Sequence, residues 1–183
     1  MDKYPVNIIT EEMIRDAEAK VNHVHVHRTV ASKIDTLTGV LGEYIFAEYF
    51  YKDWKKNRVG RNKGKMDFHD IEIKASTFPF SERLNLLVRK DYAEKRKPPF
   101  YILIIIDAKT PIAKTILPKT KAYLCGWATW NEVDQSPMKD MGSKVSDCGG
   151  YQCHYIPISK LHPMEAFEKA YREFEHITQT KHP

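Results

Sequence analysis

The chain is 183 residues long and carries 29 Lys and Arg against 24 Asp and Glu, with a sequence pI near 9.0, which predicts one domain over 1–183 with a full core and favours a polyanionic partner such as nucleic acid. Its longest apolar run, Phe100 to Ile106, is strand-sized and falls short of the ~20 residues that a spanning helix needs, so no membrane contact is expected. Met1-Asp2-Lys3-Tyr4-Pro5 lacks the apolar stretch of a secretory signal, and three cysteines make no disulfide framework, so the expectation is a cytoplasmic protein with reduced thiols.

In chain order, Thr10 followed by Glu11 and Glu12 predicts a capped helix start, with acids where the helix dipole favours them, and a helix to about Val21. His23, His25 and His27 then alternate; on a strand they would share a face that suits zinc, but a fourth ligand is not evident and surface histidines are expected. Thr29 to Tyr51 predicts one or two helices with a largely apolar surface. Gly39 and Gly42 cost helix stability there, so they are expected to permit close packing on a sheet. Lys52 to Lys65 is a basic connection with room for a short strand. Met66 to Ser76 and Leu84 to Val88 predict strands, and Arg89 to Lys97 a short helix stopped by Pro98-Pro99.

Phe100 to Asp107 predicts a strand covered on both faces. Ala108 to Lys121 is expected to be a hairpin or an insertion, and Ala122 to Trp127 another strand. Thr129-Trp130-Asn131-Glu132 spells a capping box. The polar, glycine-containing segment Gln135 to Gly150 is expected to be a mobile loop, and Tyr155 to Ile158 a short edge strand. Pro163 is placed in the first turn of a last helix running to about Ile177. The sum is an α/β fold, a central mixed β-sheet flanked by helices.

The segment richest in chemistry is Asp67-Phe68-His69-Asp70-Ile71-Glu72-Ile73-Lys74. Residues two apart on a strand share a face, so Glu72 and Lys74 point one way while Ile71, Ile73 and Ala75 point the other. Asp67 can swing in from upstream if His69-Asp70 makes a tight turn, with Asp70 as a reserve acid. Two carboxylates side by side are a hard oxygen site for Mg²⁺. A lysine beside them can orient a water or neutralise charge on a phosphoryl group.

Asp, a short gap, then Glu-x-Lys resembles the core motif of the PD-(D/E)XK nuclease superfamily, the restriction-endonuclease-like proteins. In that core a helix precedes a β-meander, and the Asp and Glu-x-Lys sit on its second and third strands. The family's first helix often adds a carboxylate. Gly39-Val40-Leu41-Gly42-Glu43-Tyr44 looks like that helix, with Glu43 as the candidate and Glu48 as the other helix acid. Gly126-Trp127-Ala128-Thr129 is similar to the late strand of the same proteins. Met66 stands where the motif has its proline, which many members lack. The resemblance covers a core of about 29–133, to which a C-terminal strand and helix over 151–177 are added.

It implies a restriction-endonuclease-like fold and a Mg²⁺-dependent deoxyribonuclease, of endonuclease type, in which Mn²⁺ can substitute. Asp67, Glu72 and Glu43 would surround the metal and Lys74 would position the attacking water. Cutting two strands would favour a homodimer. The alternative is a non-catalytic nucleic-acid-binding module on the same fold. Lys52, Lys55, Lys56, Arg58, Arg61, Lys63 and Lys65 against the single acid Asp53 are expected to hold DNA phosphates without reading sequence.

The second basic run, Arg89 to Lys97, is diluted by Asp91 and Glu94 and predicts a solvated helix face. Ser76 and Thr77 either touch phosphate or close the strand. Cys148, Cys153 and His154 form C-x4-C-H without the second pair that structural zinc needs. Tyr123, Trp127, Trp130 and Tyr151 are expected to be core or rim aromatics.

Overall fold

The computed structural model describes residues 3–24, 33–59, 66–110, 113–142 and 151–180. Its elements are β1 (Val6–Ile8), α1 (Glu11–Val24), α2 (Lys33–Tyr51), β2 (Ile71–Phe78), β3 (Asn85–Arg89), α3 (Lys90–Arg96), β4 (Phe100–Asp107), β5 (Lys121–Thr129), α4 (Trp130–Asp134), β6 (Met138–Asp140), β7 (Gln152–Pro157) and α5 (Phe167–Thr180). Four strands form a mixed sheet in the order β1-β5-β4-β2, with β2 parallel to β4 and the other pairs antiparallel. The remaining three form an antiparallel sheet, β3-β7-β6. The fold is α/β, with helices flanking the mixed sheet. Among the described residues no helix is long and apolar enough to cross a membrane.

The apolar run of β4 explains the layering. Phe100, Ile102, Ile104 and Ile106 face a core shared with Leu41, Ile45 and Phe46 of α2 and Phe167 of α5. Tyr101, Leu103 and Ile105 face a second core with Leu86 and Val88 of β3, Val133 of α4 and Ile156 of β7. A strand between two cores must be apolar on both faces, and all of β4 but Asp107 is buried. α5 closes the first core with Phe167, Tyr171 and Phe174, whose rings all meet Phe100.

Several local expectations hold. Thr10 Oγ1 accepts from the Met13 N–H at 3.1 Å and caps α1. The capping box on α4 is complete, because Thr129 Oγ1 accepts from Glu132 N–H and Glu132 Oε2 accepts from Thr129 N–H. Gly126 sits at a register break in β5 with φ +135°, where a Cβ would lie 2.5 Å from the His162 carbonyl oxygen.

Others need correction. Among the described residues no meander leads into the Glu-x-Lys strand: the bridge Phe68↔Ile71 stands immediately before β2, and 60–65 fall outside the described residues. The basic connection contains a 3-10 turn, Trp54–Lys56, and no strand among its described residues. The described part of Ala108 to Lys121 forms no hairpin before β5 begins. Gln135 to Gly150 is not all loop, since β6 lies within it, while 143–150 fall outside the described residues. β7 is the centre of its sheet, paired by β3 and β6, so the expected edge strand is an interior one; Pro157 is tolerated at its end. Pro163 precedes a 3-10 turn, Met164–Ala166, and α5 begins after it and runs on to Thr180. His23 lies on α1, so the alternation predicted for a strand does not apply to it, and His25 and His27 lie outside the described residues.

The two helix glycines separate cleanly. A Cβ on Gly42 would meet Ala75 Cβ at 2.5 Å, whereas one on Gly39 would meet nothing within 4 Å. Gly42→Ala is therefore expected to cost about 1–3 kcal/mol through overpacking. Gly39→Ala is expected to gain about 0.5–1 kcal/mol from helix propensity. Denaturant melts of the two variants check the opposite signs; equal effects would mean that α2 does not approach β2 through Gly42.

Candidate functional site

The close approach at Gly42 carries the next residue, Glu43, down onto the sheet, where it is 9% exposed. From the other side, Phe68 and Ile71 exchange backbone hydrogen bonds of 3.0 and 2.6 Å around a turn in which His69 takes φ +37°. This is the tight turn that the short Asp67–Glu72 gap demands. It folds Asp67 back beside β2, where its Oδ2 accepts from the Ile73 N–H at 2.9 Å. β2 is an edge strand, so that N–H faces away from β4 and is open to a side-chain acceptor. The alternation of β2 then presents Glu72 and Lys74 together, and Lys74 Nζ donates to Glu72 Oε1 at 2.8 Å. Glu72 is 6% exposed, while the Lys74 side chain keeps a quarter of its surface open.

The three acids are within electrostatic reach of one another. Burial pushes the Glu43 carboxyl up to about 9, and the charges of Asp67 and Glu72 push it the same way; the Arg58 backbone N–H and the Lys20 ammonium oppose them. Glu43 Oε2 is buried and has no hydrogen-bond partner among the described residues. A buried carboxyl oxygen facing two further carboxylates is a group that a hard cation would satisfy. Asp67, Glu72 and Glu43 have the hard oxygen donors that suit Mg²⁺ or Mn²⁺, while among the described residues no three His, Cys, Asp or Glu stand placed to hold a metal ion.

The remaining predicted residues divide. Asp70 does not join the cluster: its backbone C=O accepts from Phe100 N–H, and its carboxyl, raised by burial, feels His69 and Glu175 of α5. Glu48 accepts from the Trp54 N–H at 3.0 Å and fastens the chain leaving α2. Thr77 Oγ1 lies 2.6 Å from Thr38 Oγ1, which ties β2 to α2 and gives Thr77 its strand-closing role. Lys55 is ion-paired to Glu12 at 3.1 Å, Lys56 lies over the Tyr51 ring at 6.0 Å, and Arg58 is exposed. Arg61, Lys63 and Lys65 lie outside the described residues. Arg89 pairs with Asp91 at 2.9 Å on an exposed face, as expected.

Cys153 and His154 are neighbours on β7 and so point to opposite faces, which breaks the C-x4-C-H pattern as a chelate; Cys148 lies outside the described residues. Burial raises the Cys153 thiol, and pushes the Cys125 thiol up to about 12. Trp127 donates to the Pro163 carbonyl, Trp130 to the Ala93 carbonyl, and Tyr123 stacks on Phe80, so these aromatics hold the fold together. Tyr151 lies against the Arg89 guanidinium.

Sequence reasoning missed Lys20, Asn57 and the Arg58 N–H. Lys20 sits 3.0 Å from Asp16 and over the Tyr44 ring, and Tyr44 donates to Asp16. No local signal marks these groups, because their effects on Glu43 and on one another cross long stretches of chain, as between Lys20 and Asn57. Comparisons with protein-family models, with curated proteins and with solved structures found no match.

A carboxyl raised from 4.5 in the unfolded chain to about 9 in the folded one means that the folded state holds an extra proton between those values. Stability of the metal-free protein therefore falls as pH rises through that window. Glu43→Gln is expected to remove this slope. In EDTA the Gln variant should melt above wild type at pH 8.5, and the gap should close toward pH 4.5. Parallel melting curves across the range would show that Glu43 is not held in this environment.

Proposed function

We propose that this protein is a metal-dependent nuclease of the PD-(D/E)XK type, with a restriction-endonuclease-like fold, hydrolysing phosphodiester bonds in DNA as an endonuclease. The observation that carries the reading is the convergence of Glu43, Asp67 and Glu72 beside Lys74, from a helix, a turn and a strand. Support for the fold comes from the Glu-x-Lys strand running parallel to its apolar neighbour beneath the Glu43 helix.

A divalent ion held by Asp67 and Glu72, with Glu43 assisting, would neutralise charge developing on the phosphoryl group and the leaving oxygen. Lys74 hydrogen-bonds the attacking water and keeps it in line with phosphorus. Glu72 Oε1 holds the Lys74 ammonium on the functional face at 2.8 Å. Asp67 is itself braced by the Ile73 N–H, so the acid keeps its aim without relying on a loop. Lys56 and Arg58 grip the DNA backbone beside the cleaved bond, and Lys55 does so after exchanging Glu12 for phosphate.

The decisive experiment is incubation with supercoiled plasmid, linear duplex and single-stranded DNA in Mg²⁺ or Mn²⁺, beside EDTA. Wild type is expected to nick or cut, and Lys74→Ala to lower the rate by about 10²-fold or more. Salt-sensitive binding without cutting would favour the non-catalytic module; neither binding nor cutting would reduce the Glu-x-Lys match to coincidence. Separately, Mn²⁺ at about 100 times its Kd is expected to stabilise wild type by ~2.7 kcal/mol. Asp67→Ala should lose that increment in thermal melts, and an unchanged Mn²⁺ response in this variant would remove Asp67 from the metal site.

A further inference from the structure

At the far end of β2 from Asp67 and Glu72, the last residues of β2 and β4 border a recess of 610 Å³. That volume lies within the range of ligand sites, about 300–1,000 Å³. Lys109, Lys119, Lys121, Thr110 and Thr115 line it. Asp107 is its one acid among the described residues, and that acid is already engaged: its Oδ1 accepts from the Phe80 N–H at 2.8 Å. Lys20 and Lys55 have acidic partners, but among the described residues no ion pair engages Lys109, Lys119 or Lys121. The chain from Ala108 to Asn131 holds no Asp or Glu, so no local acid can neutralise them.

The wall that carries Lys119 is anchored. Ile116 is buried in the first core. The Ile9 N–H donates to the Thr120 carbonyl at 2.9 Å, and the Lys119 N–H donates to the Ile9 carbonyl at 2.8 Å. The Thr120 N–H closes a turn on the Leu117 carbonyl at 3.3 Å, with Pro118 second and Lys119 third, and Lys119 takes φ +66°. Proline followed by a positive φ is the pattern of a type II turn, whose third position favours glycine or asparagine. A lysine there strains the backbone. The chain keeps that strain where the residue lines a recess shared with two more ammonium groups.

Lysine ammonium groups and threonine hydroxyls are among the groups that hold nucleic-acid phosphates. We propose that this recess is a second phosphate subsite for DNA, in which Lys109, Lys119 and Lys121 grip the backbone apart from the carboxylates. The proposal rests on the reading of DNA as the substrate.

The test is fluorescence anisotropy of a short labelled duplex with the full chain in EDTA, from about 50 to 200 mM KCl. Phosphatidylserine vesicles are the second probe, and thermal melts accompany both. Lys119→Gly is expected to melt above wild type, because the turn strain is relieved, and yet to bind the duplex more weakly. Its slope of log affinity against log salt should be shallower by about 1, and that of the triple variant Lys109→Ala, Lys119→Gly, Lys121→Ala by about 3. A merely structural role would not join a higher melt to weaker binding. Lys114→Ala removes the same charge from the same segment outside the recess, and it should bind as wild type does.

An unchanged slope in Lys119→Gly, or an equal loss in Lys114→Ala, overturns the proposal, while plasmid cutting by wild type keeps the nuclease reading standing. Unchanged duplex binding with lost vesicle binding overturns it in favour of an anionic lipid surface. A wild type that binds no duplex overturns the DNA reading, and this proposal with it.

Discussion

The contact between Gly42 and Ala75 is the constraint on which the rest depends. A helix carrying any side chain at that point would stand off from β2. With none, α2 presses its backbone onto the strand, and Glu43 is carried below the surface next to Asp67 and Glu72. The result is electrostatically unfavourable by itself: a carboxyl is buried beside two others, and in metal-free protein it keeps its proton through neutral pH. Such an arrangement survives only where the surrounding structure holds it in place.

That holding comes from β4. The strand is buried on both faces, with alternate residues in two separate cores, and β2 lies parallel against it over eight residue pairs. Glu43, Glu72 and Lys74 therefore stand on a helix and a strand that two apolar cores fix from behind. A rigid support of this kind fixes the positions of these side chains relative to one another. The edge position of β2 adds a second benefit. One of its outward N–H groups is free to brace Asp67, so the turn acid is positioned by the same strand that presents Glu72 and Lys74.

The positive charge near the site is less uniform than composition suggests. Lys55 is held by Glu12, and Lys20 by Asp16, so two cations beside α1 already have acidic partners. The Arg58 side chain is exposed. A count of charges along the chain does not separate the paired cations from the exposed one.

What the sequence determined by itself was local. The two-residue period of β2 put Glu72 and Lys74 on one face, the short gap before Glu72 required the turn at His69, and the capping patterns at Thr10 and Thr129 marked helix starts. The unbroken apolar run of β4 announced a strand covered on both sides. These follow because the cause lies within a few residues of the effect. Tertiary structure alone decided the rest. Tyr155 to Ile158 reads as an edge strand until β3 and β6 pair with β7 from either side. Gly39 and Gly42 read alike until only Gly42 meets a neighbour. Asp70 reads as a reserve ligand until its half-buried carboxyl comes within reach of Glu175 on α5, and Asn57 reads as a loop residue until its amide is buried. Each of these depends on which distant segment packs against the residue, and no periodicity or spacing along the chain encodes that.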